Sequence, residues 1–115
     1  MKLIVTQTIE KMAEKIGLDF DDVYNFIKYN WLSWFIQLCS PMEWTIAYKW
    51  YIDNLKRIII FAVNENWIIY PVYIWDKHDQ IAKNITVDIV RKNAKKWKDN
   101  IERDVNNWNI KIRHF

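Results

Sequence analysis

Histidine and cysteine, the side chains that titrate or attack most readily near neutral pH, are scarce in this chain: His78, His114 and the lone Cys39. No set among them has the spacing of a metal site, so no metal is expected. The only glycine, Gly17, stands at the end of a helical pattern, which leaves no glycine-rich loop to cradle a phosphate. Cys39 lies in the apolar run Trp34-Phe35-Ile36-Gln37-Leu38-Cys39 and reads as a small buried hydrophobe rather than a nucleophile. Cationic side chains are the abundant chemistry. Residues 1–76 hold seven Lys or Arg against nine Asp or Glu, whereas residues 77–115 hold ten against five. This C-terminal excess would draw a polyanion such as RNA, although a lysine-rich helix more often presents a solvated face.

The elements that must position these groups belong to one domain, residues 1–115, long enough for a single core. Apolar residues make up 51% of the chain and eight of them are Trp, so flat side chains must fill much of that core or cover a partner-binding surface. A lone Cys suits a reducing compartment, and Lys2 is followed by only three apolar residues before Thr6-Gln7-Thr8, too few for a signal peptide. The apolar runs fall short of the ~20 residues that span a bilayer. A cytoplasmic location without membrane contact is expected.

Lys2-Leu3-Ile4-Val5 reads as an opening strand. Thr6 or Thr8 can cap a helix carrying Ile9, Met12, Ala13 and Ile16 at helical spacing, which Gly17 ends. Asp19 caps a second helix with the stripe Val23, Phe26 and Ile27, and Asp21 and Asp22 complement its dipole. The run from Tyr29 to Cys39 is too uniformly apolar for periodicity to choose helix or strand. Ser40-Pro41 is expected to break the chain before a strand with Met42, Trp44, Ile46, Tyr48, Trp50 and Ile52 on its apolar face. Asp53-Asn54 and Asn64-Glu65-Asn66 are turns around a strand at residues 57–63, and Trp67 to Trp75 forms a third, at an edge or bulged at Pro71. These make a three-stranded antiparallel meander. Thr86 caps a long amphipathic helix with Val87, Val90, Ala94, Trp97, Ile101, Val105 and Trp108 inward, and Ile110 to Arg113 predicts a final strand.

This α+β order of strand, two helices, meander and C-terminal helix resembles the RelE/ParE/HigB-like toxins of toxin–antitoxin modules. Leu55-Lys56-Arg57-Ile58-Ile59-Ile60-Phe61 looks like the family's central strand, opened by an Arg. Trp67 through Lys77 looks like its last strand, ending in a basic residue, and Asn84-Ile85-Thr86 leads into a helix as in many members. The resemblance implies a cognate antitoxin as partner and no cofactor. Many members are endoribonucleases that cut mRNA without a metal, often on the ribosome; others poison DNA gyrase without cutting.

Such cleavage needs a proton acceptor for the 2′-hydroxyl, cations for the phosphorane and a proton donor for the leaving oxygen. The resemblance assigns catalysis to Arg57 and Lys77 as cations and to Tyr73 or His78 for protons, with Lys49 and Lys56 binding RNA, and the basic C-terminal helix adds Arg91, Lys92 and Lys95 as RNA-binding candidates. RNA-cleaving members commonly place an Arg and then a Tyr after the last strand, where this chain has Lys77-His78 and no Tyr beyond Tyr73. Phe61 stands where the family often has Tyr. Some related nucleases also end in His and an aromatic, as His114-Phe115 does here, although a frayed tail is the simpler reading. An alternative of another class is a non-catalytic inhibitor that blocks a partner protein through exposed aromatics. Most of Trp31, Trp34, Trp44, Tyr48 and Trp50 are expected in the core.

Overall fold

The computed structural model describes residues 1–30, 35–52, 56–63, 68–76 and 86–114. Strand β1 (Lys2–Thr6) leads into helices α1 (Gln7–Lys15) and α2 (Phe20–Asn30). Strands β2 (Ile36–Met42), β3 (Thr45–Tyr51), β4 (Lys56–Val63) and β5 (Ile68–Asp76) follow, then helix α3 (Val87–Asn106) and strand β6 (Ile110–His114). One sheet has the order β2-β3-β4-β5-β1-β6. β1 lies parallel to β5, and the other neighbours pair antiparallel. The α+β class agrees with the sequence, but the expected three-stranded meander is four strands within a six-stranded sheet. Among the described residues no helix is long and apolar enough to cross a membrane.

The helix boundaries follow local chemistry. Thr6 Oγ1 accepts the Ile9 amide at 3.3 Å and Thr86 Oγ1 the Ile89 amide at 3.4 Å, each satisfying an orphan donor of a first turn. Gly17, at φ 74°, ends α1, with the Leu18 amide on the Ala13 carbonyl and the Gly17 amide on the Glu14 carbonyl. Asp19 Oδ1 accepts the Asp21 amide at 2.9 Å as α2 begins.

Three expectations need correction. Ser40-Pro41 does not break the chain; β2 runs through it, tolerated because this is an edge strand already carrying two register shifts. The chain reverses at Glu43-Trp44 instead, so Trp44 leaves the apolar strand face, adopts φ 66° and stands 64% exposed. Trp108 does not close the inward stripe of α3. It follows the helix at φ 57°, and the amides of Trp108 and Asn109 bond the carbonyls of Val105 and Asp104, the geometry that usually employs Gly. Its ring is 84% exposed.

At Pro71 the bulge is observed and the edge position is not. Ile59 pairs with Tyr73 and Ile60 with Pro71, so Val72 is an extra residue in a strand lying between β4 and β1. The bulge shifts the side-chain phase. Ile69 and Ile74 therefore face one side, and Val72 and Trp75 the other, although their spacing is not a multiple of two. The expected turns at residues 53–54 and 64–66 lie outside the described residues, as do Trp31 and Trp34.

Each face of the sheet is covered. Leu3, Val5, Ile58, Ile60 and Ile69 pack with Ile9, Ala13, Val23 and Ile27 of α1 and α2, and Trp50 joins them with its ring centroid 3.7 Å from that of Phe26. On the opposite face Ala47, Ile59, Phe61, Val72 and Trp75 pack with Val90, Ala94 and Trp97 of α3. Each fully buried Ile or Leu contributes about 1.5–3 kcal/mol through removal from water. Cys39 is half-buried beside this second core rather than enclosed within it.

Candidate functional site

Strand register determines which cations share a face. Arg57 of β4 lies between Tyr51 of β3 and Trp75 of β5, and two residues along, Ile59 lies between Lys49 and Tyr73. Side chains two apart on a strand project together, so Lys49, Tyr51, Arg57, Tyr73 and Trp75 share the face packed by α3. Adjacent strands lie about 4.8 Å apart, which puts the Lys49 and Tyr73 backbones about 10 Å from one another across Ile59.

The corner is organised around Tyr51. The Arg57 guanidinium carbon lies 4.8 Å from the Tyr51 ring centroid and the Lys49 ammonium nitrogen 5.6 Å from it. Attraction between cation and ring quadrupole orients both long side chains against one partly exposed ring. Two positive groups are thereby collected beside a flat apolar surface. A phosphate oxygen and a nucleobase together fit this combination, one on the cations and the other against the ring.

Behind the corner stands a row of aromatics. Tyr73 stacks on Trp75 and on Trp97 with centroid distances of 5.5 Å in both cases, and Phe61 meets Trp97 edge-on at 6.0 Å. The Trp75 Nε1 group is buried and has no hydrogen-bond partner among the described residues. Tyr73 is thus held by ring contacts from the strand and from α3, a rigid position for a residue assigned a proton-transfer role.

The remaining assigned residues do not all converge here. Lys56 opens the same strand end as Arg57, but alternation turns it to the α1/α2 face, opposite Asp76 in register. Arg91, Lys92 and Lys95 are exposed on α3, whose inward face is carried by Val90, Ala94 and Trp97, and so they point away from the sheet. Lys77 and His78 lie outside the described residues. His114 is not frayed: it pairs with Lys2 in the β6–β1 ladder, and its carbonyl accepts the Tyr24 hydroxyl at 3.0 Å. Among the described residues no three His, Cys, Asp or Glu side chains gather as metal ligands would.

One polar constellation escaped the sequence reading. Asp104, only 3% exposed, accepts the Thr8 amide at 3.0 Å and the Thr8 hydroxyl at 2.7 Å, tying the start of α1 to the end of α3. Arg103 reaches the same carboxylate from Nε at 3.4 Å and donates from Nη2 to Thr8 Oγ1 at 2.8 Å. Burial alone would raise the carboxyl pKa, but the Thr8 hydrogen bonds and the Arg103 charge together outweigh it and hold the pKa below the usual Asp value. The signal was present in the spacing, since Asp104 continues the inward series of Trp97 and Ile101. No family model, curated protein or solved structure matches this chain.

Proposed function

We propose that this chain is a RelE-like toxin that binds RNA at the Lys49–Tyr51–Arg57 corner and cuts it by general acid–base chemistry. The observation that carries the reading is the pair of cations over the Tyr51 ring, on the sheet face where Arg57 opens β4. Arg57 would stabilise the charge that develops on the phosphorane and Lys49 would hold the adjoining backbone, while Tyr51 stacks a base. Lys77 would add to that charge stabilisation, proton transfer falls to Tyr73 or His78, and a cognate antitoxin would restrain the toxin. Expression should arrest growth and leave cleaved mRNA. Replacing Arg57 and Lys77 together by Ala should abolish cleavage while far-ultraviolet circular dichroism still reports a folded chain; the half-buried Arg57 makes some loss of melting temperature the expected accompaniment. Intact message in arrested cells would end the nuclease reading.

Trp44 and Trp108 favour a second reading, a non-catalytic inhibitor of a partner protein. Both expose large rings from left-handed backbone positions that Gly would occupy with less strain. A stoichiometric protein partner whose capture requires both rings, without RNA cleavage in the presence or absence of ribosomes, would select this reading.

A further inference from the structure

The contact between the start of α1 and the end of α3 borders a cleft of about 580 Å³ that shares no residue with the Tyr51 corner. Lys11 and Lys15, one turn apart on α1, line it together with Arg103. Among the described residues neither lysine makes an ion pair. The only carboxylate in the lining is Asp104, whose oxygens are already engaged by Thr8 and Arg103. Three cations against one buried, hydrogen-bonded anion leave the cleft formally +2.

Arg103 makes this more than a scatter of surface lysines. Its guanidinium is fixed by the bonds to Asp104 and Thr8, yet more than half of the side chain remains exposed. Three of its five N–H donors are not used by those two bonds. A guanidinium immobilised before binding loses little freedom when it takes up a ligand, and its planar fork matches two oxygens of one phosphoryl group. The amide side chains of Asn107 and Asn109, in the same lining, supply neutral donors.

We infer that this cleft binds a phosphate group, with Arg103 as the oriented donor and Lys11 and Lys15 closing over the remaining oxygens. The phosphate belongs either to a small phosphorylated molecule or to an RNA backbone, which would extend the RNA surface past the far end of α3. The test is an NMR titration of the full chain with inorganic pyrophosphate and, separately, with a short single-stranded RNA. Pyrophosphate should saturate, shifting the amides of Thr8, Lys11 and Arg103. The change Lys11→Ala with Lys15→Ala should weaken it about a hundredfold or more without altering the melt, because each charge-assisted bond removed takes away about tenfold or more. Cleft shifts with RNA, competed by pyrophosphate, would identify a backbone phosphate; pyrophosphate binding with no RNA response would identify a small ligand. Non-saturating shifts spread over all the lysines, or equal affinity in the double variant, would overturn the proposal. Arg103→Lys serves as a second variant, keeping the charge while losing the fork, and should also weaken binding. Loss of the cleft would not disturb the Tyr51 corner, nor would the reverse.

Discussion

The two faces of the sheet place their aromatic contacts differently. Beneath α1 and α2, Leu3, Val5, Ile58, Ile60 and Ile69 meet Ile9, Val23 and Ile27, and the rings gather around the buried Trp50, which Phe26 and Phe35 contact. Beneath α3 the aliphatic residues Ala47, Ile59, Val72, Val90 and Ala94 surround a line of rings, the Trp75–Tyr73–Trp97 stack, which runs out toward the partly exposed Tyr51 and its two cations. Aliphatic cores fill space without polar edges; stacked rings also fix the direction of the groups beside them. The first face supplies stability, and the second supplies stability together with a positioned surface.

Truncations in the two cores should have the largest effects. Trp97→Ala should cost about 3–5 kcal/mol and Leu3→Ala about 2–5 kcal/mol in chemical denaturation. They should differ in function: below its melting temperature the Leu3 variant keeps its rate of RNA cleavage, whereas the Trp97 variant loses it because Tyr73 is deprived of one of its stacking partners. Equal cleavage rates in the two variants would remove the distinction between the faces.

A smaller effect is expected at the clasp that joins the two helical layers. Because the Asp104 pKa is lowered in the folded state, the unfolded chain binds the proton more readily, so this contribution is complete above the unfolded value near pH 4. It is lost as pH falls through the lower folded value. Asp104→Asn should therefore cost about 1–3 kcal/mol at pH 7 and flatten the acid side of the stability profile. An acid limb identical to that of the parent would show that this carboxylate is not linked to folding.

The smallest effects belong to α3's solvent side and to its end. Lys92, Lys95 and Lys96 changed together to Glu should move stability by less than about 1 kcal/mol, since all three are exposed. Trp108→Gly should be neutral or stabilising by about 1 kcal/mol, because Gly relieves the left-handed backbone and the exposed ring contributes nothing to the core.

What could be read from the sequence follows the strength of its periodicities. The stripe Val90, Ala94 and Trp97 and the caps Asp19 and Thr86 were legible because a repeat or a capping oxygen has one reading, while the first helix offered Thr6 and Thr8 alike and the structure uses Thr6. β2 was not, since its apolar run fits helix and strand alike and Pro41 looks like a break until its edge position is known. The reversal at Glu43-Trp44 contains none of the Gly, Asn or Asp that usually mark a tight hairpin. Arg57 and Tyr73 were named through the resemblance, but Tyr51, the ring that gathers the corner, was not, because only cross-strand register brings Arg57 over it.

Salt-dependent binding of a short single-stranded RNA, followed by fluorescence anisotropy, tests the Tyr51 corner most directly. Changing Lys49 and Arg57 together to Gln should reduce the slope of log affinity against log salt by about 1.4, at about 0.7 for each phosphate that is no longer neutralised. Tyr51→Ala should lower affinity by about 1–3 kcal/mol with the slope unchanged, because it removes stacking and no charge. Parental affinity and slope in both variants would contradict the assignment of this corner as the RNA interface.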